Sequence, residues 1–203
     1  MKRAALGFRV HSGWAAVVAV AVTKGAPVVL SRERVHLVKT FTYEFRQPYH
    51  TAEKLPAAEA RAFVSRMQSE ARRLALRAIR DAQASLKGQG YELARCGLLI
   101  ASGRLLPRLP QILASHALIH TADGELFREA LLHASDRCGL ECMRVREKDI
   151  LSAASTTLHL RASDLQSRVK ELGRPFGSPW SQDEKFASLI AWLALASRAS
   201  ARA

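Results

Sequence analysis

Leu6-Gly7-Phe8-Arg9-Val10-His11-Ser12-Gly13-Trp14 leads into an apolar run over 15–22, breaks at Thr23-Lys24-Gly25-Ala26-Pro27, and resumes as Val28-Val29-Leu30. Val10, Trp14, Val17, Val18, Val20 and Val22 are β-branched or aromatic, as in a strand buried on both faces. Gly13 offers a bulge or a close backbone approach, and 23–27 is a turn signal. The stretch reads as strand, glycine corner, strand, turn, strand, with 6–22 and 28–38 antiparallel neighbours. Arg32, Arg34 and His36 alternate with Glu33, Val35 and Leu37, the period of a half-exposed strand. A further extended piece is expected over 39–47, around Phe41, Tyr43 and Phe45, ended by Pro48.

Beyond Pro56, a residue suited to a first helical turn, the period changes. Ala60, Phe63, Val64, Met67, Ala71, Leu74, Ala78 and Ala82 recur at three- and four-residue spacing and predict a helix to Lys87, closed by Gly88 and Gly90. Arg66, Arg73, Arg77 and Arg80 share its opposite face, with Glu70 placed to pair with Arg66 and Arg73. A solvated face explains such a stripe more simply than a binding surface does. Residues 96–101 form a short buried strand, 112–119 a short helix, and Asp123 an N-cap for a helix over 125–137. A strand over 142–146, helices over 150–160 and 164–172, and a glycine-proline loop over 173–179 follow. Ser181 and Glu184 make a capping box for a final apolar helix. The tail from 197 is expected to fray. The order predicts one α/β domain over 1–203, a mixed sheet with helices on both faces.

The chain of 203 residues carries 31 Lys and Arg against 18 Asp and Glu, a net +13. Such an excess favours phosphate backbones or other anionic surfaces as partners, though a solubility charge explains it equally well. Cys96, Cys138 and Cys142 make no even disulfide framework and suit a reducing, cytoplasmic setting. The run 15–22 is too short to span a bilayer, so no membrane partner is expected.

In these elements and residues the chain resembles the ribonuclease H-like superfamily, in particular its Holliday-junction-resolvase-like branch. That branch ends its first strand near an Asp-x-Gly that holds divalent metal. The matching place here, His11-Ser12-Gly13, keeps the glycine without the acid. A later strand of the branch ends in Asp-Glu-Arg, which places Glu147 of Val145-Arg146-Glu147-Lys148. Its closing helix opens with an acid before small residues. Asp183 or Glu184 precedes Ala187-Ser188 here, and Glu184 has the better spacing. The resemblance implies a catalytic set of Glu147, Glu184 and Asp183, and a metal set of His11, Glu147 and Glu184. Magnesium would be the cofactor of any hydrolysis, because it takes hard carboxylate oxygens. Histidine nitrogen in place of the lost acid suits zinc or nickel better.

Three functions follow as expectations. The first is a nucleic-acid-associated protein with an incomplete nuclease centre, touching phosphates through Arg66, Arg73, Arg77, Arg80 and Arg104. The second is a metal-dependent phosphodiesterase with a reduced carboxylate set. The third is a non-catalytic scaffold, with a second copy of the chain as partner. Other constellations are weaker. His116 and His120 stand four apart, a spacing that places two imidazoles on one metal, but ordinary surface histidines explain them more simply. His133, Cys138 and Cys142 lack a fourth ligand for a closed zinc site. No Walker or dinucleotide loop is present. Trp192 reads as core, and Trp180 as a staple onto the last helix.

Overall fold

The computed structural model describes residues 1–103 and 105–197, so Arg104 and the tail 198–203 lie outside the described residues. Three strands open the chain: β1 (Lys2–His11), β2 (Trp14–Thr23) and β3 (Ala26–His36). Two short helices, α1 (Tyr43–Arg46) and α2 (Pro48–Ala52), precede the long α3 (Ala57–Gly88). Then come β4 (Tyr91–Ile100), α4 (Leu109–Leu113), α5 (His116–Arg137) and β5 (Glu141–Arg146). Three helices close the chain: α6 (Ile150–Leu158), α7 (Ala162–Glu171) and α8 (Gln182–Ala196). No described helix is long and apolar enough to cross a membrane.

The sheet order is β3-β2-β1-β4-β5, with the first three strands antiparallel and β1, β4 and β5 parallel. Both hairpin corners are set by backbone chemistry. Gly13 has φ +82°, a region L side chains rarely adopt. Lys24 and Gly25 have φ 52° and 77°, the doubly positive pattern of a two-residue hairpin whose twist matches its strands. Pro27 sits on the edge strand β3, where its missing N–H leaves no gap in a central ladder.

Side-chain alternation along β1 divides the core. Ala4, Leu6, Phe8 and Val10 face α3 and α5, while Ala5 lies in the second cluster, built on α8. Gly7 shares the face of Ala5, and there α8 rests directly on the strand. A Cβ at Gly7 would stand 1.8 Å from the Ala187 carbonyl oxygen. Gly97, its partner across β4, would meet the Ile190 carbonyl at 2.6 Å. Two facing glycines thus cut a groove that lets the helix backbone lie against the sheet. Buried Arg95 holds the other end of α8, donating to the carbonyls of Ala194 (3.2 Å) and Ser197 (2.7 Å). Cation donors at a helix C-terminus satisfy carbonyls left without intrahelical partners.

The helix expected over 112–119 is broken at Ala114-Ser115, between α4 and α5, and two further expectations are corrected. Residues 39–47 add no strand: Phe41 lies in a bend and Tyr43–Arg46 is a helical turn. The sheet edge is already occupied by β3, and Phe45 instead stacks on Phe63 of α3. Asp123 is not an N-cap. The helix begins at His116 and runs through it, and Asp123 is buried in its middle. Its Oδ1 accepts the Tyr49 N–H at 2.7 Å and its Oδ2 meets His50 Nδ1 at 2.5 Å. A capping residue was indistinguishable in sequence from a tertiary acceptor. Burial pushes the Asp123 carboxyl up, and the bonds from Tyr49 and His50 oppose that shift.

The cysteines are free, Cys96 buried and the other two half-buried. Burial raises the Cys142 thiol to about 11, so it stays protonated at neutral pH. Trp180 packs on Gly173 and donates its Nε1–H to the Val169 carbonyl at 2.9 Å, tying α7 to the loop before α8.

Candidate functional site

Period two along β1 puts Arg9 and His11 on the same face as Gly7, toward α8. Because α8 lies so close there, Asp183 in its first turn reaches both. His11 Nε2 meets Asp183 Oδ1 at 2.8 Å, and Arg9 Nη1 donates to the same oxygen. Glu147 follows β5 directly, beyond Arg146, which pairs with Ile100 at the end of β4. Its carboxylate takes Arg9 in a two-pronged grip, Nη2 to Oε1 at 2.6 Å and Nε to Oε2 at 3.2 Å. The guanidinium also lies 5.3 Å from the Phe186 ring centroid. Arg9 is therefore held by the turn after β5, by α8 and by an aromatic face at once. The Glu147 hydrogen bond, followed by the charges of Glu147 and Asp183, raises its pKa despite burial.

The structure thus brings together His11, Glu147 and Asp183, with Arg9 between the two acids. Arg9 was missed in sequence because an arginine on a first strand carries no metal-binding signal. Glu184 is placed elsewhere: its Oε2 accepts the Ser181 N–H at 2.8 Å and the Ser181 hydroxyl, closing the capping box. Arg66, Arg73, Arg77 and Arg80 are exposed on α3, across the sheet from α8. Glu70 accepts the Lys39 N–H at 2.9 Å.

A two-magnesium centre needs carboxylate oxygens open to the ions. Here three N–H groups of one fixed cation take both oxygens of Glu147 and Oδ1 of Asp183. With Arg9 held between them, the residues present do not fit such a centre.

Beside this cluster the hairpin tip carries cations interleaved with rings. His11 stacks on Trp14 with centroids 4.4 Å apart and planes 13° apart. Arg34 lies 3.9 Å from the Trp14 centroid and 5.4 Å from that of Phe41. Arg46 covers Phe41 at 4.6 Å and donates to the Ser12 carbonyl at 3.3 Å. His36 tilts against Phe41 at 4.6 Å. The ledge joins β1, β2, β3 and α1, and His11 connects it to Asp183. Alternation in 32–37 shows that Arg34 and His36 share a face, but the return of Phe41 onto that face is a tertiary contact.

No family model and no curated protein matches the sequence. Among solved structures, the chain is similar to Thermus thermophilus RuvC in complex with a Holliday junction substrate. That likeness has 13% identity and a TM-score of 0.50, over 94% of this chain and 91% of that one. A second Thermus thermophilus RuvC structure aligns at 14% identity and a TM-score of 0.49, over 94% of this chain and 92% of that one. Identity this low bears on architecture only, and the strand order, the mixed pairing and the helices on both faces agree with it. The chain has the ribonuclease H-like fold.

Proposed function

We propose that this protein binds nucleic acid through the ledge of His11, Trp14, Arg34, Phe41 and Arg46, and does not cleave it. The observation that carries the reading is the continuity of that ledge with a pair of carboxylates held by Arg9. In this fold the end of β1 is where hydrolysis by metal would be expected, and here a guanidinium holds the acids. Arginines over aromatic rings offer phosphate contacts and flat stacking surfaces together. The net charge of +13 supplies the long-range attraction. Phosphate contacts position without reading sequence, so preference among sequences is weak. The Arg66, Arg73, Arg77 and Arg80 stripe is a second cationic surface on the far side of the sheet, and the ledge alone adjoins the cluster.

Binding to duplex, junction and single strands over a salt series tests this. Affinity falls with a slope of about −0.9 per neutralised phosphate on duplex. W14A/R34A weakens single-strand binding by about 1–3 kcal/mol, roughly 5- to 150-fold. A flat salt response, or an unchanged affinity in W14A/R34A, removes the reading.

A further inference from the structure

His50 on α2 and His116 and His120 on the first turns of α5 bring one ring nitrogen each within 4.8 Å of one another. His116 Nε2 and His120 Nε2 are 3.0 Å apart. Ring centroids lie 4.5 Å apart for His50 and His120, and 5.5 Å for His50 and His116. These rings take no part in the ledge or the Arg9 cluster.

We propose that His50, His116 and His120 form a binding site for a zinc-class divalent cation, with Asp123 orienting His50. Imidazole nitrogens suit zinc, nickel and copper over magnesium or calcium. A tetrahedral zinc with Zn–N bonds of about 2.0–2.1 Å sets neighbouring nitrogens roughly 3.3 Å apart. The His116–His120 pair is already close to that, and small rotations of the rings close the rest.

The buried side of the site is built as metal sites are. His50 is buried, and its Nδ1 faces Asp123 Oδ2 at 2.5 Å. An acceptor there places the imidazole proton on Nδ1 and leaves the Nε2 lone pair for a ligand. The other carboxylate oxygen is fixed by the Tyr49 N–H at 2.7 Å, so Asp123 cannot rotate away. A carboxylate behind a ligating histidine sets its tautomer and raises its basicity. His116 and His120 are exposed, so the cation enters from solvent and keeps a water in its fourth position. The i, i+4 spacing seen in sequence supplied two ligands; the third comes from a helix 66 positions earlier than His116.

The competing account is a simple hydrogen bond between His116 and His120. Tag-free protein is titrated with Zn²⁺ against a chromophoric chelator, and with Co²⁺ followed by its visible d–d absorption. Wild type takes up one ion per chain, and cobalt gives the intense bands of a tetrahedral site. H116A/H120A changes only exposed side chains, so the fold is kept, and uptake and bands are lost. D123N lowers zinc affinity by about 10–100-fold, as loss of such orienting groups does. Equal uptake by wild type and H116A/H120A, or no uptake by wild type, overturns the proposal. The outcome is independent of nucleic-acid binding, which the ledge variants report.

Discussion

Arg9→Ala destabilises the protein by about 2–3 kcal/mol and makes its melting temperature respond to magnesium. The size lies between exposed ion pairs, about 0–1 kcal/mol, and fully buried ones, about 3–5 kcal/mol when one partner is removed. Arg9 and Asp183 are 17% and 21% exposed, while Glu147 at 40% retains more hydration. Removing the guanidinium leaves two carboxylates facing each other without a cation, and His11 holds only one of them. A divalent ion that binds the folded variant then stabilises it by mass action. Thermal melts of wild type and R9A at millimolar Mg²⁺ or Mn²⁺ decide. Wild type is indifferent and R9A recovers part of its loss. Equal responses would mean that the guanidinium does not occupy the ion's place.

Gly7→Ala is expected to be as damaging, although it adds one methyl group. The new Cβ meets the Ala187 carbonyl oxygen at 1.8 Å and the Ala191 nitrogen at 2.9 Å. These are backbone atoms of α8 and cannot rotate aside, so the helix must lift. Overpacking usually costs about 1–3 kcal/mol, and a clash with rigid backbone belongs at or above the upper end. For a chain of this size, about 3 kcal/mol corresponds to roughly 6–12 °C in melting temperature. Gly88→Ala is the control: nothing lies within 4 Å of its Cβ and its φ is ordinary, so the change is neutral or mildly stabilising. A Gly7→Ala melt equal to wild type would mean that α8 does not lie on β1 as described.

The parts of the fold legible in sequence were those governed by local periodicity and punctuation. Gly13, Lys24-Gly25 and the valine-rich runs specify the three-strand opening, and β1 is central because both hairpin and crossover strands pair with it. The 3.6-residue pattern located α3 to within a residue or two at each end, and Ser181 with Glu184 marked the start of α8. Residues 39–47 misled because aromatic alternation resembles a strand, whereas their rings are spent on Arg34, Arg46 and Phe63. The site was half visible. Glu147 and Asp183 were named, but what lies between them depends on which face of β1 meets α8, and that is decided by Gly7 and Gly97 together. His50 was unreadable as a partner of His116 and His120, since no local rule links α2 to the start of α5.

The most direct test is to incubate end-labelled junction and duplex DNA with the protein at low salt in Mg²⁺ or Mn²⁺, resolving bound complexes and strand lengths from the same reactions. A salt-sensitive complex with every strand intact is the predicted result. Divalent-dependent cleavage that disappears in Glu147→Gln would contradict it, because Glu147 would then be serving a metal and not Arg9.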